Sequence, residues 1–109
     1  VKNLSTAIDR MVEGRDAYVG MSDPDRIRAE GFVRARAAAI GTIEALEIED
    51  DGWGTYNVSV TFTEGNEEEL ADSLCKSLHF KGNRTLDFQS HNGQIVIHLD
   101  GIRADRIGL

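Results

Sequence analysis

Residues 55–62, TYNVSVTF, alternate without interruption: Tyr56, Val58, Val60 and Phe62 against Thr55, Asn57, Ser59 and Thr61. A period of two belongs to a strand buried on one face and wet on the other. This is the clearest strand in the chain, and it implies an antiparallel sheet with one covered face.

Before it, Thr42 to Glu49 changes phase between Ile43/Ala45 and Leu46/Ile48. That change marks a strand with a bulge, or else a helix extension followed by a short strand; the strand is favoured. Asp50-Asp51-Gly52-Trp53-Gly54 then turns a hairpin. Near the end, strands at about 84–90 and 94–100 are joined by Asn92-Gly93, the strongest short hairpin signal. A two-residue turn sets His91 opposite Gln94, Gln89 opposite Val96, Phe88 opposite Ile97, Asp87 opposite His98 and Leu86 opposite Leu99.

Three helices are expected. Leu4, Ala7, Ile8, Met11, Val12, Tyr18 and Val19 recur at helical spacing over about 4–19, with Gly20 as a stop. Ser22-Asp23-Pro24-Asp25 opens a second helix over about 24–39, since Ser or Asp accepts from the free amides and proline suits the first turn. Asn66-Glu67-Glu68-Glu69 resembles a capping box ahead of Leu70, Ala71, Leu74, Cys75 and Leu78, and Gly82 ends that third helix. The order is ααββαββ with a tail. It describes an α+β chain, an N-terminal αα-hairpin followed by ββαββ, whose antiparallel sheet has its helices packed on one face.

Residues 1–109 read as a single domain, long enough to bury roughly 65% of the unfolded surface without staples. The order of a helical hairpin followed by a sheet resembles cone-shaped ligand-binding folds in which a curved sheet wraps helices, with fewer strands here. Such an order implies no particular function.

Charge is unevenly placed. Residues 1–43 hold seven Lys/Arg and six Asp/Glu, whereas residues 44–109 hold five and thirteen, within a net charge of −7. That field repels a phosphate backbone, so nucleic acid is not an expected partner. No apolar run reaches the roughly 18 residues of a membrane span and no signal peptide opens the chain, so the expected location is cytoplasmic. The triplets at Asn3, Asn57 and Asn83 that match the glycosylation pattern are accordingly read as chance.

CxxC, HExxH, Walker A, GxSxG and GxGxxG are all absent, and EIEDDGWGTYNV lacks the ligand alternation and closing glutamate of an EF-hand loop. No metal or cofactor is expected. Cys75 falls on an apolar arc, where a free thiol serves as a small hydrophobe. Asp87 and His98 are the one candidate acid–base pair, because a carboxylate facing an imidazole sets its tautomer. Without a nucleophile or metal ligand beside them, an ordinary cross-strand pair worth ~0.2–1 kcal/mol is the plainer reading, and His91 merely borders the turn.

Arg15 and Arg36 project toward the apolar arcs of the first and second helices. There they snorkel, pair with carboxylates inside the fold or across an interface, or hold an anionic ligand. Ala35 to Ala39 give the second helix a small-residue surface that permits close packing within or between chains, leaving homo-oligomerisation open. Trp53, the only tryptophan, stands between two glycines at a hairpin tip beside Asp50, Asp51, Glu49 and Glu47.

An aromatic on an acidic turn suits an interface anchor for a basic protein partner; folding back over its own hairpin is the plain alternative. The leading expectation is a non-enzymatic protein-binding module, such as an inhibitor, an immunity-type protein or an assembly subunit. The rival is a small-molecule-binding protein or enzyme with a pocket between helices and sheet lined by His98, Asp87 and Arg36. A nucleic-acid mimic ranks last, since its acids lie on different elements.

Overall fold

The structure, a computed structural model, describes residues 21–89 and 93–109, without the side chains of Phe88 and Gln89. The expected first helix near 4–19, with Arg15, lies outside the described residues, as do His91 and Asn92. The described elements run α1 (Asp23–Ala38), β1 (Ile43–Asp50), β2 (Thr55–Phe62), α2 (Glu67–Ser77), β3 (Asn83–Gln89), β4 (Gln94–Arg103) and a 3₁₀ turn (Ala104–Ile107). The fold is α+β with an antiparallel four-stranded sheet ordered β1-β2-β4-β3. Among the described residues no helix is long and apolar enough to cross a membrane.

Both helices begin where their capping residues put them. Ser22 Oγ accepts from the Asp25 amide at 3.3 Å, and Asn66 Oδ1 accepts from the Glu69 amide at 3.0 Å. α1 buries Ala29, Val33 and Ala37, and α2 buries Leu70, Ala71 and Leu74. These stripes cover the sheet face formed by Ile48, Val58, Val60, Phe62, Ile95, Ile97, Leu99 and Ile102, all essentially inaccessible. Truncating any of the large ones costs about 2–5 kcal/mol, because a close-packed core relaxes only partly around the gap.

α2 stops in a Schellman arrangement. The His79 amide donates to Lys76 O at 3.2 Å and the Phe80 amide to Cys75 O at 2.8 Å. The left-handed position, usually glycine, is filled by His79 with φ 52°.

Two irregularities keep the alternation in phase with the core. The expected bulge in β1 falls between Ile43 and Ala45, and it lets Leu46 and Ile48 face inward. In β4, Val58 pairs with Leu99 but Tyr56 pairs with Ile102, so Asp100 and Gly101 stand against Asn57. Gly101 has φ 78° and donates its amide to Asn57 Oδ1 at 3.2 Å. The strand thus continues to Arg103 rather than ending near residue 100, and Ile102 returns to the core.

The last hairpin corrects the expected register. Gln89 pairs with Gln94, Phe88 with Ile95, Asp87 with Val96, Leu86 with Ile97 and Thr85 with His98. The described pairing closes at Gln89 and Gln94, whereas a two-residue Asn92-Gly93 turn would have set Gln94 against residue 91. Gly93 keeps its left-handed conformation at φ 75°, which longer hairpin loops also use. Because the slip is two residues, the described side chains stay on their expected face and only their partners change.

Candidate functional site

The β1–β2 hairpin is built around Asp51. Its Oδ1 accepts from the Trp53 amide at 2.8 Å and from the Thr55 amide at 3.3 Å, and its Oδ2 accepts from the Thr55 hydroxyl. The Asp51 amide donates to Thr55 O at 3.1 Å, while Asp50 Oδ1 accepts from the Gly52 amide at 2.8 Å. Gly52 and Gly54 take left-handed φ values of 83° and 88°, open to residues without a Cβ at little strain. Partial desolvation works to raise the Asp51 pKa, but the Thr55 hydroxyl and the Trp53 and Thr55 amides outweigh it and hold the carboxyl below its ordinary range.

That network fixes the backbone and leaves the indole outside. Trp53 is 88% exposed, so it does not fold back over its own hairpin. Glu47 and Glu49 are exposed on β1, on the open sheet face, the one that neither described helix covers. The start of α1 docks beside the hairpin, where Arg26 Nη1 donates to Ile48 O at 2.9 Å. Tyr56 sits behind the turn, and burial first, then the charges of Asp50, Asp25 and Asp51, raise its phenol above the ordinary value. Ile27, the other large exposed hydrophobe among the described residues, is on the first turns of α1.

The expected Asp87/His98 pair is not formed as drawn. Thr85, not Asp87, stands opposite His98, and Asp87 is exposed opposite Val96. His98 instead meets β2, its Nδ1 lying 2.8 Å from Ser59 Oγ. Glu47, Ser59, His98 and Thr85 form one row across all four strands, beside a shallow groove also lined by Ala45, Thr61 and Val96. This row is on the open face. Arg36 is on α1, its guanidinium 3.8 Å from the centroid of the Phe32 ring, so His98, Asp87 and Arg36 do not gather into one pocket between helices and sheet. Arg36 is half-buried by stacking on that ring, which lets the charge keep contact with water.

Arg84 was not singled out by sequence. It stands opposite Leu99 on the helix-covered face, and it bonds Asp72 at 2.5 Å, pairs with Glu68 at 3.6 Å and reaches Cys75 Sγ at 3.9 Å. The Asp72 hydrogen bond, then that to Cys75, raises the pKa of the guanidinium further. Thus the apolar arc of α2 ends in a half-buried thiol touching a cation, a neighbour invisible in the local pattern. No cluster of three or more metal-ligating side chains occurs among the described residues. Comparison with known protein families, curated proteins and solved structures finds no match to this chain.

Proposed function

We propose that the chain is a small acidic protein-binding module that seats a basic partner on the β1–β2 hairpin, in the manner of an inhibitor, an immunity-type protein or an assembly subunit. The observation that carries this reading is Trp53, 88% exposed on a turn whose backbone is held by the Asp51 network. An ordered loop loses little entropy when its aromatic is buried, so most of the contact energy is kept. Glu47 and Glu49 supply exposed charge that steers a basic surface toward the ring, while Asp50 and Asp51 serve the loop as well as the field.

Affinity capture from the native cell extract, followed by mass spectrometry, tests it with two variants. Trp53→Ala removes the anchor, and Glu47→Lys with Glu49→Lys reverses the charge without touching the Asp51 network. Loss of the same basic protein from both captures is the expected result. An unchanged set of captured proteins in both would sink the reading.

One observation favours a second reading, a small-molecule site: the Ser59–His98 hydrogen bond beside the open-face groove. On this reading the site lies away from the helices. Its test is a serine-directed acylating probe, whose labelling of Ser59 and loss in His98→Ala would support it.

A further inference from the structure

Residues 44–109 carry only five of the chain's twelve Lys/Arg, against thirteen of its nineteen Asp/Glu. Three of those five, Lys81, Arg103 and Arg106, line a single cleft together with His79, Phe80, Gly82 and Gly101. Among the described residues no carboxylate lines it. The cleft forms where the end of α2, the start of β3, the β4 bulge and the 3₁₀ turn meet; it is open to solvent, with a volume of about 560 Å³. Arg103 pairs with Asp105 at 3.1 Å, both side chains largely exposed. Among the described residues neither Lys81 nor Arg106 has an ion pair.

Like charges lining one cleft repel, and the repulsion is relieved by a bound anion. At the end of α2 the His79 and Phe80 amides occupy the carbonyls of Lys76 and Cys75. His79 is held at the rim in a left-handed conformation that glycine adopts more cheaply, so an imidazole is retained there against a local cost.

We propose that this cleft binds a phosphoryl group, carried by a small ester or as free phosphate, with Lys81 and Arg106 as its main contacts and Arg103 and His79 completing the ring of donors. Two guanidiniums match a phosphoryl group because each presents a planar fork of N–H donors to paired oxygens. A monocarboxylate would leave most of the positive charge uncompensated. A polynucleotide fits poorly, because the chain's net charge of −7 repels an extended phosphate backbone. The volume is of the order seen for compact ligands.

The test is a titration of the whole chain with inorganic phosphate and, separately, phenyl phosphate, followed by amide NMR at constant ionic strength. Saturable shifts centred on Gly82 and Gly101, absent with chloride, are expected. Lys81→Gln and Arg106→Gln should each weaken binding roughly tenfold, whereas Arg34→Gln on α1 should leave it unchanged. Tighter binding of phenyl phosphate assigns the site to an ester, and equal or weaker binding assigns it to free phosphate. Shifts that chloride reproduces, or affinities untouched by Lys81→Gln in a chain whose spectrum is otherwise native, overturn the proposal.

Discussion

The Ser59 hydroxyl oxygen lies 2.8 Å from Nδ1 of His98, joining the two central strands on the face that no described helix covers. Both side chains are half-buried, so the bond is only partly exchangeable with water. Ser59→Ala should therefore lower the unfolding free energy by about 1 kcal/mol, measurable by urea denaturation. The imidazole ¹⁵N shifts should change at both nitrogens, in opposite senses, since the bond that Nδ1 makes sets the tautomer. Identical Nδ1 shifts in the two proteins would count against the bond.

Asp51 ties hairpin order to acidity. Its folded pKa is depressed, so its contribution to stability is full above the unfolded carboxyl range and is lost as pH falls through the lower folded value. Below about pH 4 the turn should loosen ahead of the core, and the Trp53 emission anisotropy should drop. In Asp51→Ala the anisotropy should be low at neutral pH too, with about 1 kcal/mol of stability gone, the usual cost of a lost side-chain cap.

Tyr56 responds in the opposite range. Its pKa is raised, so the folded chain holds the phenolic proton more tightly than the unfolded one. The associated stability is intact below the ordinary tyrosine value near pH 10 and declines as pH rises through the folded value. Ultraviolet titration of phenolate should place Tyr56 above a free tyrosine. Asp50→Asn should move that titration downward, because one of the three carboxylates that oppose the phenolate is then neutral.

Replacing His79 by glycine should stabilise the chain. The residue has φ 52° and an exposed side chain, so the substitution relieves left-handed strain without opening a cavity. A gain of about 1 kcal/mol is expected from thermal or urea unfolding. A loss instead would show that the imidazole makes a stabilising contact outweighing the strain.

Local pattern was enough for β2, whose alternation is that of the buried face, and for both described helices, whose caps at Ser22 and Asn66 are chemical start signals. It misjudged the last hairpin, because Asn-Gly suits a two-residue turn while a longer loop with a left-handed glycine serves equally. Asp100-Gly101 looked like a strand end for a related reason: a glycine that terminates a strand and one that bulges it are the same residue in sequence. Trp53 was legible as an exposed aromatic because two glycines flank it. The partner of His98 was not. Ser59 lies on a strand that is not its neighbour in the chain, and no local period encodes which strands meet across the middle of a sheet. The basic cleft escaped for the same cause, its cations coming from separate segments.

The strand order β1-β2-β4-β3 also governs how the chain reaches this structure. Each hairpin closes through a turn and forms on its own local contacts. The seam between β2 and β4 joins Val60 to Ile97, positions separated by a helix and a whole strand, so the loop entropy falls due before that pairing rewards it. Truncating core residues on the seam, or in the hairpins that form ahead of it, should therefore slow folding, since the transition state already makes their contacts. The middle of the sheet is thus its last part to assemble, and the pace of the whole chain is set there.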